Sequence, residues 1–175
     1  MTRTLRAAAV AAVAVATLLV GGCASGTAPV TPVTPTPTTG VAPGGTLQRP
    51  LYSVVVPQGW TDLGSSDTSG QIDAYLAKDG LSSGISFSVF VDTSGRSRDT
   101  LVQQAKAAMP GATDAPAVTA GGRRLTGLQA EAEGLVLHQY YLETGGKLVA
   151  LNWSWPKDKD ASADIKQILD SLTWK

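Results

Sequence analysis

In 175 residues there is one cysteine, Cys23, and one histidine, His138. A single cysteine excludes an intramolecular disulfide and any zinc site built from cysteines. A single histidine excludes a histidine-rich metal cluster. It leaves one candidate base for a Ser-His-Asp arrangement. Charge excess is also missing: 14 basic residues balance 14 acidic ones, and without Arg3 and Arg6 of the N-terminal segment the balance is 12 against 14. So even a surface carries no counterion-release drive toward nucleic acid. It offers no polybasic attraction to anionic lipid. There is no Gly-x-Ser-x-Gly elbow for an esterase and no glycine-rich phosphate loop. No metal or other cofactor is expected.

The N-terminus has a clear pattern. Arg3 and Arg6 precede residues 7–20 (AAAVAAVAVATLLV), apolar apart from Thr17. As a helix that run reaches about 21 Å, short of a bilayer core of about 30 Å. It fits an export signal over residues 1–22. Val20-Gly21-Gly22-Cys23 follows, a branched apolar residue, two small residues and cysteine. This resembles the bacterial lipobox. The resemblance implies cleavage before Cys23, a diacylglyceryl thioether on its sulfur and an acyl chain such as palmitate. Each buried CH₂ contributes about 0.8 kcal/mol, so two or more chains anchor stably where one does not. The alternative is a secretory signal followed by an incidental cysteine. Either way the chain is expected to be exported, and with the lipid it sits on the outer face of the cell membrane.

Residues 24–46 (ASGTAPVTPVTPTPTTGVAPGGT) hold seven Thr, five Pro and four Gly, with no charge and no aromatic. Such a stretch buries too little apolar surface to offset the entropy of ordering. Its Pro-rich middle favours polyproline II. With Cys23 it is expected to form a disordered tether, stretching to roughly 70 Å. Thr-Pro runs also suit O-glycosylation.

That leaves one domain, expected over 47–175. Tyr52–Val56 is β-branched and stops at Pro57. Residues 72–78 and 85–92 alternate apolar and polar around turn chemistry at 79–84, as a hairpin does. Leu101, Val102, Ala105, Ala108 and Met109 form a helical stripe, capped by Ser97 or Asp99 and ended by Pro110-Gly111. Strands are expected at about 123–133, 135–144 and 147–155, the last two joined at Gly145-Gly146. The middle one is apolar on both faces and is expected at the centre of a sheet. A second helix runs over 160–172 on Ile165, Ile168, Leu169 and Leu172, capped by Asp160 or Ser162. The order βββαβββα predicts an α+β fold, a mostly antiparallel sheet of about six strands with two helices packed on it.

Tyr52-Ser-Val-Val-Val-Pro57-Gln-Gly-Trp60 resembles the opening of PsbP-like domains: an apolar strand, then Pro, any residue, Gly and Trp. With the lipobox, the Thr/Pro spacer, the element order and the terminal Leu169-Asp-Ser-Leu172, the whole chain resembles the LpqN/LpqT-type lipoproteins of the actinobacterial cell envelope. The resemblance implies a PsbP-like α/β/α sandwich and a non-enzymatic envelope role in interaction or ligand binding. It supplies no catalytic residue. Pro57, Gly59 and Trp60 also have a structural reading, as strand end, turn and plug.

Few residues offer chemistry. His138 reads as a packed, hydrogen-bonded side chain, with a general base as the alternative. Glu131 and Glu133, two apart on a strand, point to one face, as a solvated edge or as an acid/base or calcium pair. Gly121-Gly122-Arg123-Arg124 reads as a turn with solvent-facing arginines, or as an anion cradle. Trp60, Tyr140, Trp153 and Trp155 form the richest aromatic set, either core or the lining of an apolar ligand groove. The expectation is a non-catalytic, monomeric envelope module, anchored by Cys23, that binds a protein or apolar ligand and not nucleic acid. A lipid or glycolipid carrier is the alternative and requires a dry cavity between sheet and helix. A hydrolase is third and requires Glu131, Glu133 and His138 to converge.

Overall fold

The computed structural model describes residues 40–64 and 71–175. The expected signal at 1–22, the expected lipidation site Cys23 and the spacer through residue 39 lie outside the described residues. Among the described residues the strands are β1 (Thr46–Gln48), β2 (Tyr52–Val55), β3 (Trp60–Asp62), β4 (Ile72–Lys78) and β5 (Ser86–Val91). Helix α1 (Arg98–Ala108) leads to β6 (Thr113–Ala120), β7 (Arg123–Ala132), β8 (Leu135–Thr144) and β9 (Lys147–Pro156). Helix α2 (Ser162–Ser171) and the short β10 (Thr173–Trp174) complete the chain. One sheet has seven strands in the order β3-β4-β5-β9-β8-β7-β6, and a second has three, β1-β2-β10. All pairings are antiparallel.

The α+β class and both helices are as the sequence predicts. The strands outnumber the six expected, for a physical reason. β1, β3 and β10 span two or three residues, too few to display alternation. β6 contains Pro116 and shifts register between Ala115 and Val118. It lies at a sheet edge, where a missing N–H is tolerated. The central strand is β9, not β8, whose first half is only half-buried. The fold also starts earlier than residue 47. Val41 N–H donates to Asp62 Oδ2 at 3.0 Å, and Gly44 N–H donates to the Val56 carbonyl at 2.7 Å. Residues 40–46 are therefore tied to the domain by hydrogen bonds from their backbone N–H groups to Asp62 and Val56, which composition does not reveal.

The two faces of the large sheet are packed differently. On one, Phe87, Val89, Leu125, Tyr140, Leu151 and Trp153 meet α2 and the small sheet through Tyr52, Val54, Ile168, Leu169 and Leu172. On the other, Leu128, Tyr141, Leu148 and Ala150 meet α1 through Leu101, with Val102, Ala105 and Met109 at the margin. The result is a layered α/β/α arrangement in which the first face also carries the small sheet. Among the described residues no helix is long and apolar enough to cross a membrane.

Local chemistry fixes the ends. Ser97 Oγ accepts from the Thr100 N–H at 3.2 Å, a cap worth about 1 kcal/mol. Asp160 Oδ1 accepts from the Ser162 N–H at 2.9 Å ahead of α2. Lys78 Nζ holds both oxygens of Asp164 at 2.9 Å, fastening α2 to β4. Gly59 turns the chain between Pro57 and Trp60 with φ +78°, a region closed to most side chains. Gly127 faces Tyr140 across β7 and β8, where an added Cβ would collide with the Gln139 carbonyl.

Candidate functional site

Register determines which side chains meet. A two-residue turn at Glu133-Gly134 sets Ala132 opposite Leu135, and so Gln129 opposite His138 and Glu131 opposite Val136. On the other side of β8, Val136 opposes Trp155 and His138 opposes Trp153. Thr113 of β6 opposes Gln129. Directly opposed side chains share a face. Apart from Ala132 and Leu135, which face the α1 side, these stand on the α2 side of the sheet, at one end. There β7 runs on to Ala132, while pairing with β6 stops at Gln129. An open groove of about 370 Å³ results, lined by Pro110, Gly111, Thr113, Gln129, Glu131 and Val136, with Ala130 in its floor.

Beside the groove lies a small ring cluster. The His138 ring is 4.8 Å from that of Trp155 at 70°, and 5.9 Å from that of Tyr140 at 76°. Nδ1 of His138 lies 3.2 Å from the Tyr140 hydroxyl. Burial pushes the His138 pKa below its ordinary value. The imidazole is therefore neutral at neutral pH, and it can donate one hydrogen bond and accept another. Glu131 pairs with Lys157, both more than half exposed, an arrangement worth at most about 1 kcal/mol. Gln129 Nε2 reaches toward Thr113 Oγ1 at 3.5 Å. His138 and Gln129 present neutral hydrogen-bonding atoms here, with the Glu131–Lys157 ion pair at the margin.

The three groups proposed for a hydrolase are not brought together. β7 ends at Ala132, and Glu133 sits in the turn with φ 51°. Glu131 and Glu133 are thus not a strand pair, because the chain reverses between them and β8. Glu131 shares a face with His138, but its carboxylate is paired with Lys157.

The four aromatics also separate. Trp60 is 1 % exposed, and Tyr140 and Trp153 are 2 % exposed. The Trp153 ring lies 4.7 Å from Phe87, tilted by 41°, and 5.8 Å from Tyr140, edge-on at 77°. These three fill the space between sheet and α2, where a carrier would need its cavity. Only Trp155 of the four is half-exposed, and it stands opposite Val136 of the groove. Gly121 and Gly122 make the β6–β7 turn. Gly121 lies under Trp174, and Arg123 donates to the Glu143 carbonyl at 3.2 Å.

Gln129, Thr113 and Val136 are groove residues that sequence reasoning missed. Fixing Glu133-Gly134 as a two-residue turn would have put Gln129 against His138. Thr113 was out of reach because β6 does not read as a strand. The groove is also far from where the described chain begins. Gly40 packs beside Asp62 of β3, at one edge of the sheet, whereas β6 is the other edge. Six strand spacings separate them, roughly 29 Å.

No protein family and no curated protein matches the sequence. Solved structures with a similar chain trace include the cyanobacterial PsbP protein (CyanoP) of Synechocystis sp. PCC 6803, with TM-score 0.48 and 14 % identity over 71 % of this chain and 86 % of that one. Another is LpqN of Mycobacterium tuberculosis, described as involved in cell envelope biogenesis, with TM-score 0.45 and 14 % identity over 77 % of this chain and 86 % of that one. A third is from Bacteroides thetaiotaomicron, with TM-score 0.48 and 15 % identity over 80 % of this chain and 49 % of that one, so this chain spans about half its length. These are likenesses of trace at low identity. They do not make the chain a member of the LpqN family, and they assign it neither ligand nor role.

Proposed function

We propose that the chain is an exported, lipid-anchored module of the cell envelope that binds a partner polypeptide and does not transform it. The anchor part of the reading rests on the basic start, the short apolar run and Val20-Gly21-Gly22-Cys23. The binding part rests on one observation: β7 extends past β6 into the groove, beside the half-exposed Trp155 and His138. An extended segment of a partner laid along that stretch of β7 would add main-chain hydrogen bonds, and an apolar side chain of the segment would lie toward Val136. The described chain begins at the β3 edge of the sheet and the groove lies at the β6 edge, which suits a domain held at one end and engaged at the other.

Photo-crosslinking tests this. A photoreactive residue is placed at Glu131 of the full chain, in a host that lipidates Cys23. The expected result is one discrete protein adduct in the membrane fraction, lost on Val136→Asp. Cys23→Ala should release the chain from that fraction. An adduct of lipid mass would support the carrier instead. A hydrolytic activity lost on His138→Ala would contradict the reading.

A further inference from the structure

The groove lies where β6 and β7 part, and hydrogen-bond parity decides what their fork offers. Glu133 and Gly134 have φ 51° and 80°, the pattern of a two-residue type I′ turn. Such a turn closes with Ala132 and Leu135 bonded through both main chains, and bonding then alternates along β7. Ala132, Ala130 and Leu128 point their N–H and C=O groups at β8. Glu131, Gln129 and Gly127 point theirs the other way, toward β6. Gln129 meets Thr113 there. The same register continued would set Gly111 opposite Glu131, but the chain turns off at Gly111, with φ 83°, just after Pro110. Among the described residues no main-chain bond joins Gly111 and Glu131. The Glu131 N–H and C=O therefore face the groove of about 370 Å³, which Pro110 and Gly111 also line.

The open edge is short. Only Ala130, Glu131 and Ala132 run past the last β6 pair, about 10 Å of strand. A segment antiparallel to β7, as both neighbours of β7 are, would place one residue opposite Glu131 and exchange both main-chain bonds with it. The next place lies opposite Ala130, and the one after that is held by Thr113. An internal segment has no onward path along this edge, whereas a chain that ends opposite Glu131 needs none. In the antiparallel sense the end that enters the fork is the carboxyl end. Its carboxylate accepts the Glu131 N–H, and the N–H of the same residue donates to the Glu131 C=O. An amino end supplies donors alone and leaves the Glu131 N–H unmatched. Thr113 and Gln129 add two more donors. Gln129 Nε2 reaches Thr113 Oγ1 at 3.5 Å, which leaves the threonine hydroxyl hydrogen and the second amide hydrogen free to donate. The one ionised side chain lining the groove is Glu131, and Lys157 holds its carboxylate. Resting on the strand-addition reading above, we infer that the fork of β6 and β7 captures the free carboxyl end of an extended polypeptide, received by the Glu131 main chain, Thr113 and Gln129.

The probe is a library of random heptapeptides, displayed once with free carboxyl ends and once with free amino ends. Both are selected on the full chain in detergent micelles. The consensus peptide is then made as the free acid, as the carboxyl-terminal amide, and with two glycines added after its last residue. Enrichment is expected from the carboxyl-end library. By fluorescence anisotropy the amide and the extended peptide should bind about tenfold or more weakly than the acid, since each loses charge-assisted hydrogen bonds. Glu131→Pro removes the edge N–H, a change that an edge strand tolerates, and should abolish binding. Thr113→Val keeps the side-chain shape, removes the hydroxyl and should weaken binding several-fold at a wild-type unfolding midpoint, so the test survives a Glu131→Pro chain that does not fold. Lys166→Ala, exposed on α2, should bind as wild type does. Equal binding of acid and amide, enrichment from the amino-end library alone, or unchanged binding by Thr113→Val would overturn the inference and leave strand addition at β7 standing. No enrichment from either library would overturn both.

Discussion

Asn152 and Trp153 are neighbours on β9, yet they belong to different environments. Trp153 is 2 % exposed among Phe87, Tyr140 and Leu151. Asn152 is half-exposed on the other face, with Ser88 and Gln139 beside it. Among the described residues the first face is covered by a helix and a second sheet, the other by a single short helix. Aromatic bulk fills the closed face, and small polar side chains occupy the part that α1 leaves open. A strand thus carries stability on one side and surface chemistry on the other, with the pleat keeping the two apart.

Substitution should separate these roles most strongly at this pair. Trp153→Ala is expected to cost about 3–5 kcal/mol by opening a cavity that the surrounding core cannot fill. Asn152→Ala should stay within about 0.5 kcal/mol. Chemical denaturation of both variants checks this, and similar losses would erase the distinction between the faces.

A smaller effect is expected where β5 leads into α1. Asp92 is buried and accepts from Ser94 Oγ, from Arg96 N–H and from Arg96 Nε, each at 2.8 Å. Burial pushes its carboxyl up, but these bonds more than offset that and hold the pKa below the ordinary 3.8. A lowered native pKa stabilises the fold above the ordinary value. That contribution fades as pH falls below it, through the native pKa. Asp92→Asn should therefore cost about 2 kcal/mol at neutral pH and proportionately less in acid. Thermal unfolding from neutral pH down to about pH 2 would reveal the convergence.

The smallest effect belongs to His138. Its native pKa lies below 6.5 because burial disfavours the charged ring. The unfolded chain then takes up its proton first as pH drops. Stability should be full above 6.5 and decline below it until the native ring also titrates. His138→Gln should flatten that part of the profile, measured as unfolding midpoint against pH.

Which parts of this were legible beforehand follows from residue chemistry. Ser97, Pro110-Gly111 and the stripe through Leu101 defined α1 to within a residue at each end, because a cap, a breaker and a period agree there. Gly145-Gly146 fixed the β8–β9 turn, and the alternation around 79–84 fixed the β4–β5 hairpin. The closed face was readable as apolar, but not which aromatics it would swallow. Trp60, Tyr140 and Trp153 look the same in sequence as Trp155, and only the position of α2 separates them. Strand parity placed Glu131 correctly and misplaced Glu133, since the turn began one residue earlier than the strand pattern implied. The groove depends on β6 stopping short of β7. β6 carries a proline and a register shift, so no alternation announced it.

The most direct test is of the difference between the two faces. Asn152→Cys and Leu151→Cys, each in the full chain with wild type as background, are exposed to a maleimide under native conditions. The cysteine at 152 should be labelled promptly. The one at 151 should wait for unfolding and react on the order of a hundredfold more slowly or less. Equal rates at the two positions would mean that the α1 side is sealed or the α2 side open, and would contradict the account.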